Sequence, residues 1–111
     1  MNDIDLTVFR ELQADAGAEF VAELIDTFFE EAPALLAELR AAHTQADANR
    51  FRRAAHSIKS NSLTFGAATL AEQARALELG SVPADRVPQA LDALDATYAQ
   101  AAQALTDLRG G

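Results

Sequence analysis

One imidazole in this chain stands in a setting that suits nucleophilic chemistry. His56 is preceded four residues earlier by Arg52 and followed three residues later by Lys59, the only lysine among 111 residues. On a helix, side chains three and four positions apart share a face, so ring, guanidinium and ammonium would lie together. A solvent-facing imidazole is largely neutral near pH 7, and one ring nitrogen keeps a lone pair for attack. The electrophile that fits is a phosphoryl group, whose two negative charges on the ring Lys59 could offset. Phosphoryl transfer depends chiefly on position and charge stabilisation, so one exposed histidine, one cation and a flat helical face suffice.

Other chemistries lack their parts. Without cysteine there are no disulfides and no thiolate metal sites. The second histidine, His43, belongs to a helix end, where a cation complements the dipole. Two histidines without carboxylates at ligand spacing make no usual metal site, so no metal and no cofactor of the chain's own are expected. No Gly-rich nucleotide loop is present.

The elements that must hold this face are helices. Half the chain is apolar, only 6% is aromatic, and Ala and Leu dominate, which favours close helix packing over a sheet. A short first helix is predicted from about Asp5 to Ala14, ended by Asp15-Ala16-Gly17. A second starts near Ala18 with Val21, Leu24, Ile25, Phe28, Ala32, Leu35, Leu36 and Leu39 on one face. Pro33 should kink it by removing the bond to the Phe29 carbonyl. Asp47 is the N-cap of a third helix, Ala48 to about Phe65. Gly66 breaks the pattern before a fourth helix, Ala67 to Leu79, with Gly80 as its stop. A final helix carries Val87, Leu91, Leu94, Tyr98, Ala101, Leu105 and Leu108. Short connections make neighbours antiparallel, so the fold class is all-α: an up-down four-helix bundle over about residues 18–108, with an extra N-terminal helix, in one domain of 1–111.

Projecting the third helix at about 100° per residue puts Phe51, Ala54, Ala55, Ile58, Ser62 and Phe65 on the core side and turns His56 away from it. Arg52, Lys59, Ser60 and Leu63 share the outward face, and the small Gly66 and Ala67 continue that side. Charge is segregated accordingly. Residues 48–71 contain no Asp or Glu and carry +4, against −8 for the whole chain and −12 for the remainder. Arg50, Arg52 and Arg53 would steer an acidic partner pocket toward His56. The overall acidity disfavours nucleic acid and anionic membrane. No apolar run spans a bilayer, and the acidic first residues do not read as a secretory signal, so a cytoplasmic protein is expected.

The run Ala55-His56-Ser57-Ile58-Lys59-Ser60-Asn61-Ser62-Leu63-Thr64-Phe65-Gly66-Ala67 resembles the signature of histidine-containing phosphotransfer (HPt) domains, His-x-Leu-Lys-Gly-Ser-Ser/Ala followed by a hydrophobic residue and Gly. The resemblance extends through Phe20 to Phe28 and Glu31-Ala32-Pro33, to Leu77-Glu78 and the Leu-rich last helix with Tyr98. It implies that His56 is phosphorylated through Nε2 and that Lys59 stabilises the phosphoryl group. It also implies that Arg52, Arg53, Ser60, Leu63, Gly66 and Ala67 meet a receiver domain. Glu78, 22 residues after the histidine, takes the place of the Gln or Glu that orients the imidazole in several members, and a hairpin pivoting at Gly66 would bring it opposite His56. Ser60 stands where the family often has Gly, which leaves both crowding of the partner and a hydroxyl donor to the phosphate open.

The implied function is a monomeric phosphocarrier, not an enzyme, that exchanges phosphate with aspartates of response-regulator receiver domains, the Mg²⁺ being supplied by the receiver. A hybrid sensor histidine kinase is a further candidate partner. Two other readings compete. One is a helical interaction module that binds a receiver or kinase without being phosphorylated, against which His56 and Lys59 speak. The other is a histidine kinase dimerisation domain, which needs a second chain and an ATP-binding domain for which this chain has no room.

Overall fold

A computed structural model of the protein describes residues 4–110; the outermost positions of the expected 1–111 domain lie outside the described residues. Five α-helices follow one another: α1 (Leu6–Ala16), α2 (Ala18–Thr44), α3 (Ala48–Thr64), α4 (Ala68–Glu78) and α5 (Val87–Gly110), with a 3₁₀ turn at Ala84–Arg86 before the last. Among the described residues there is no strand.

Capping chemistry sets where helices begin. The Asp5 carboxylate accepts from the backbone N–H groups of Thr7 and Val8, and Asp47 accepts from that of Arg50 at 3.1 Å, satisfying donors that a helix start leaves unpaired. α2 runs unbroken through Pro33, and Pro88 occupies the first turn of α5.

Pairings across the bundle fix the directions. Phe28 of α2 stacks near Phe65 at the end of α3, with centroids 5.3 Å apart, while Glu38 later in α2 pairs with Arg50 early in α3. α2 and α3 are therefore antiparallel. Arg40 bridges Asp92 and Asp95, whereas Asp26 pairs with Arg109, so α5 also opposes α2. His56 and Lys59 meet Glu78 across the turn at Gly66, so α4 opposes α3. Each helix touches its two neighbours in a closed four-helix ring, and α1 packs on α2. This is the up-down bundle with an added N-terminal helix that the periodicity predicts.

The core is aliphatic and small-residue-rich: Ile25, Leu39, Ala55, Ile58, Leu70, Ala74, Leu94 and Leu105 are essentially inaccessible. Alanines on α3 and α4 let those two helices approach closely. Ser62, the one hydroxyl of the α3 core face, donates to the Ile58 carbonyl at 2.6 Å and so loses no hydrogen bond on burial. Phe51 sits only partly buried at the edge of that face.

The entry to α1 seals the α3–α4 turn. The Asp5 N–H donates to the Gly66 carbonyl at 2.8 Å, and Ile4 and Phe9 are buried. Gly66 has φ +78°, and a Cβ there would lie 3.0 Å from the Asp5 carbonyl oxygen and 3.0 Å from Val8 Cβ. Left-handed backbone costs a side-chain-bearing residue about 1–2 kcal/mol before any crowding. Gly66→Ala is therefore expected to lower unfolding stability by about 2 kcal/mol or more, read from the urea midpoint followed by far-ultraviolet circular dichroism.

Candidate functional site

Helix α3 presents the histidine and α4 supplies the group that holds it. The buried Ala54, Ala55, Ile58 and Ser62 anchor one side of α3, which turns His56 outward with its side chain 56% exposed. On α4, Leu70, Ala71, Ala74 and Leu77 face the interior. Glu78 follows at the helix end, its side chain only 15% exposed. Because the hairpin turns at Gly66, the last turn of α4 lies beside the middle of α3.

The Glu78 carboxylate joins two partners. Oε2 lies 2.6 Å from Nδ1 of His56, and Oε1 lies 2.7 Å from Nζ of Lys59. The Lys59 ammonium, then the His56 ring, hold the Glu78 carboxyl below the usual carboxylate range, against an opposing effect of desolvation. An ionised carboxylate only accepts hydrogen bonds, so the proton of this contact belongs to Nδ1. In the neutral ring Nε2 is then the nitrogen with the lone pair, and among the described residues no hydrogen bond engages it.

Glu78 thus lies within hydrogen-bond reach of His56 Nδ1. Lys59 is tied to the same carboxylate and is 23% exposed. An ammonium has three donors, so this pairing leaves others for a second anion. Ser60 and Leu63 are exposed on the same side, Leu63 to 56%.

The arginines divide. Arg52 and Arg53 are exposed; Arg52 bonds Asn49 at 2.6 Å, and Arg53 makes no ion pair among the described residues. Arg50 is engaged by Glu38 and Gln45 and serves the α2–α3 contact instead of any steering surface.

Gly66 and Ala67 are not exposed beside His56, contrary to expectation. Both are buried, Ala67 completely, because Asp5 and Val8 of the N-terminal segment lie directly over the turn. Helical projection carries a residue's direction along α3, but the chain leaves that helix at Phe65, and the entry to α1 covers the turn beyond it. A groove of about 580 Å³ opens beside Arg52 and Glu78, walled by Ala42, Phe51, Leu77 and Val82. No local pattern in the sequence signals it, since its walls come from four separate segments.

Among the described residues no group of three or more His, Cys, Asp or Glu side chains gathers to hold a metal ion, and no helix is long and apolar enough to cross a membrane. The site offers one imidazole nitrogen free of hydrogen bonds, a cation beside it, and a half-buried carboxylate behind both.

Residues 23–107 match the family model described as Hpt domain. No curated protein is matched. Among solved structures, the crystal structure of histidine-containing phosphotransfer protein B (HptB) from Pseudomonas aeruginosa PAO1 is similar with a TM-score of 0.85 and 28% sequence identity, over 96% of this chain and 94% of that one.

Proposed function

The chain belongs to the Hpt domain family and is a histidine phosphotransfer protein of phosphorelays; on that premise we propose that Nε2 of His56 carries the phosphoryl group. The observation that supports this most directly is the 2.6 Å contact of Nδ1 with Glu78, which in the neutral ring leaves the lone pair on Nε2, on the exposed side. The phosphoryl donor and acceptor are aspartates of response-regulator receiver domains. The receiver brings Mg²⁺ and most of the charge stabilisation, and this chain acts as a phosphocarrier with no turnover site of its own. A hybrid sensor histidine kinase is a further candidate partner. This domain works as a monomer in the cytoplasm.

Each residue has a physical task in this reading. Lys59 donates to the phosphoryl oxygens through the protons Glu78 does not take. Glu78 orients the ring. Arg52 and Arg53 attract the acidic pocket that surrounds a receiver's phosphorylated aspartate, and Leu63 and Ser60 contribute the contact surface around His56. The apolar core and small-residue helix contacts keep this face rigid, which phosphoryl transfer needs because the reacting atoms must be held in line.

The test is incubation with a receiver domain carrying a labelled aspartyl phosphate. Acid-labile, base-stable label appearing on this chain supports the reading, and its absence refutes it. Lys59→Met should slow uptake about ten- to a hundredfold, the equivalent of one charge-assisted hydrogen bond of about 1.5–3 kcal/mol. Stopped-flow or quench measurements of the single-turnover rate check that figure.

A further inference from the structure

We propose that Glu78 holds the Nδ1 proton on the ring after His56 has been phosphorylated, and so keeps the phosphohistidine in its transferable form. This rests on the phosphocarrier reading of His56 and goes beyond an orienting role for the carboxylate.

The chemistry depends on which nitrogen carries the proton. In the reactive, neutral ring Nδ1–H donates to Glu78 and Nε2 holds the lone pair. That lone pair attacks phosphorus of a receiver's aspartyl phosphate. An Nε2–P bond forms, the bond from phosphorus to the aspartyl oxygen breaks, and the carboxylate leaves with the electron pair. No proton has moved, so the phosphorylated ring is an imidazolium with Nδ1–H. In onward transfer a carboxylate oxygen of another receiver attacks phosphorus, and the Nε2–P electrons return to nitrogen. If Nδ1 is still protonated, the group expelled is neutral imidazole. Should Nδ1 have lost its proton to solvent, the group expelled would be an imidazolide anion, a far poorer leaving group. The lifetime and reactivity of the phosphoryl group therefore depend on what faces Nδ1.

Here that group is an anion, 2.6 Å away and sheltered, with its side chain 15% exposed. An opposite charge at this range favours the charged ring. The charged groups around the ring are Glu78 from α4 and, from α3, Lys59, which shares the carboxylate at 2.7 Å, with Arg52 one turn before. Lys59 draws part of the carboxylate's charge away from the ring. The two residues thus act on the proton in opposite senses, and a purely structural role for either would not produce that pattern.

The test uses the full chain with ¹⁵N-labelled histidine, phosphorylated by phosphoramidate, a small donor that needs no partner. The Nδ1 resonance of the phosphorylated ring is followed as a function of pH through the loss of its Nδ1 proton. In Glu78→Gln, which retains an amide of the same size but no charge, the midpoint is expected to fall by about one unit or more. In Lys59→Met it should rise above that of the unaltered chain. Above both midpoints, onward transfer from phosphorylated Glu78→Gln to a receiver should be slower by about tenfold for each unit of that fall.

A midpoint unmoved by Glu78→Gln, or moved the same way by both substitutions, overturns the proposal while leaving His56 as the carrier. If phosphoramidate places no phosphoryl group on Nε2 of His56, the carrier reading fails and the proposal falls with it.

Discussion

His56→Gln is expected to abolish phosphoryl uptake from a phosphorylated receiver, a loss of at least about a thousandfold, while the helical circular dichroism spectrum stays unchanged. A glutamine amide has no lone-pair nitrogen to attack phosphorus, and no other imidazole in the chain shares the setting, since His43 lies against Phe51 at the far end of α2 with ring centroids 6.3 Å apart. The fold should tolerate the change because the His56 side chain is more than half exposed and its one hydrogen bond is to Glu78; such surface substitutions ordinarily shift stability by within about 0.5 kcal/mol. Receiver binding, measured by calorimetry, should persist within a few-fold. This pairing of lost uptake with retained binding also separates a carrier from a helical module that only docks, whose action on its partner would survive the substitution. Residual label on the His56→Gln chain would move the phosphorylation site elsewhere.

The largest effect on stability is expected from Phe28→Ala. Phe28 is buried, and its ring meets Phe65 at 5.3 Å, Tyr98 edge-on at 5.6 Å and Phe29 at 6.4 Å. One side chain therefore joins α2 to the end of α3 and to α5. Truncating a buried Phe costs about 3–5 kcal/mol, through lost transfer energy and the cavity left behind, and the lost aromatic contacts enlarge it. Domains of this size have about 5–15 kcal/mol in all, so the variant should be near the edge of folding at physiological temperature. The chain has no Trp and a single Tyr, so urea unfolding is best followed by far-ultraviolet circular dichroism. A lower midpoint with an unchanged slope would show that stability itself has fallen. A loss below about 1 kcal/mol would mean that the neighbouring rings collapse into the space.

Much of this architecture is legible in local patterns. The three- and four-residue steps of α2 and α5 require one buried face each, and Asp47 announces the start of α3 because its side chain can satisfy a helix donor. The outward direction of His56 follows from the same periodicity, since Ala55 and Ile58 on either side of it must turn inward. The meeting of Glu78 with His56 is readable as well, because an antiparallel hairpin about Gly66 relates positions at a constant sum. Other features depend on contacts between segments distant in sequence. The burial of Gly66 and Ala67 needs the chain start to fold back over the α3–α4 turn, and nothing in residues 60–70 encodes where residues 4–8 will lie. The capture of Lys59 by Glu78 depends on two rotamers on different helices. The same limit hides the engagement of Arg50 by Glu38, which removes one of three arginines that look alike in the sequence.

His56, Lys59 and Glu78 all come from a single α3–α4 hairpin spanning residues 56–78, while α1, α2 and α5 support it from outside. The reactive atoms and the surrounding scaffold are thus separable inheritances. Surface changes on the supporting helices can therefore accumulate without touching the bond-making centre. Conversely, a hairpin of this kind moved onto another helical frame would bring its chemistry with it.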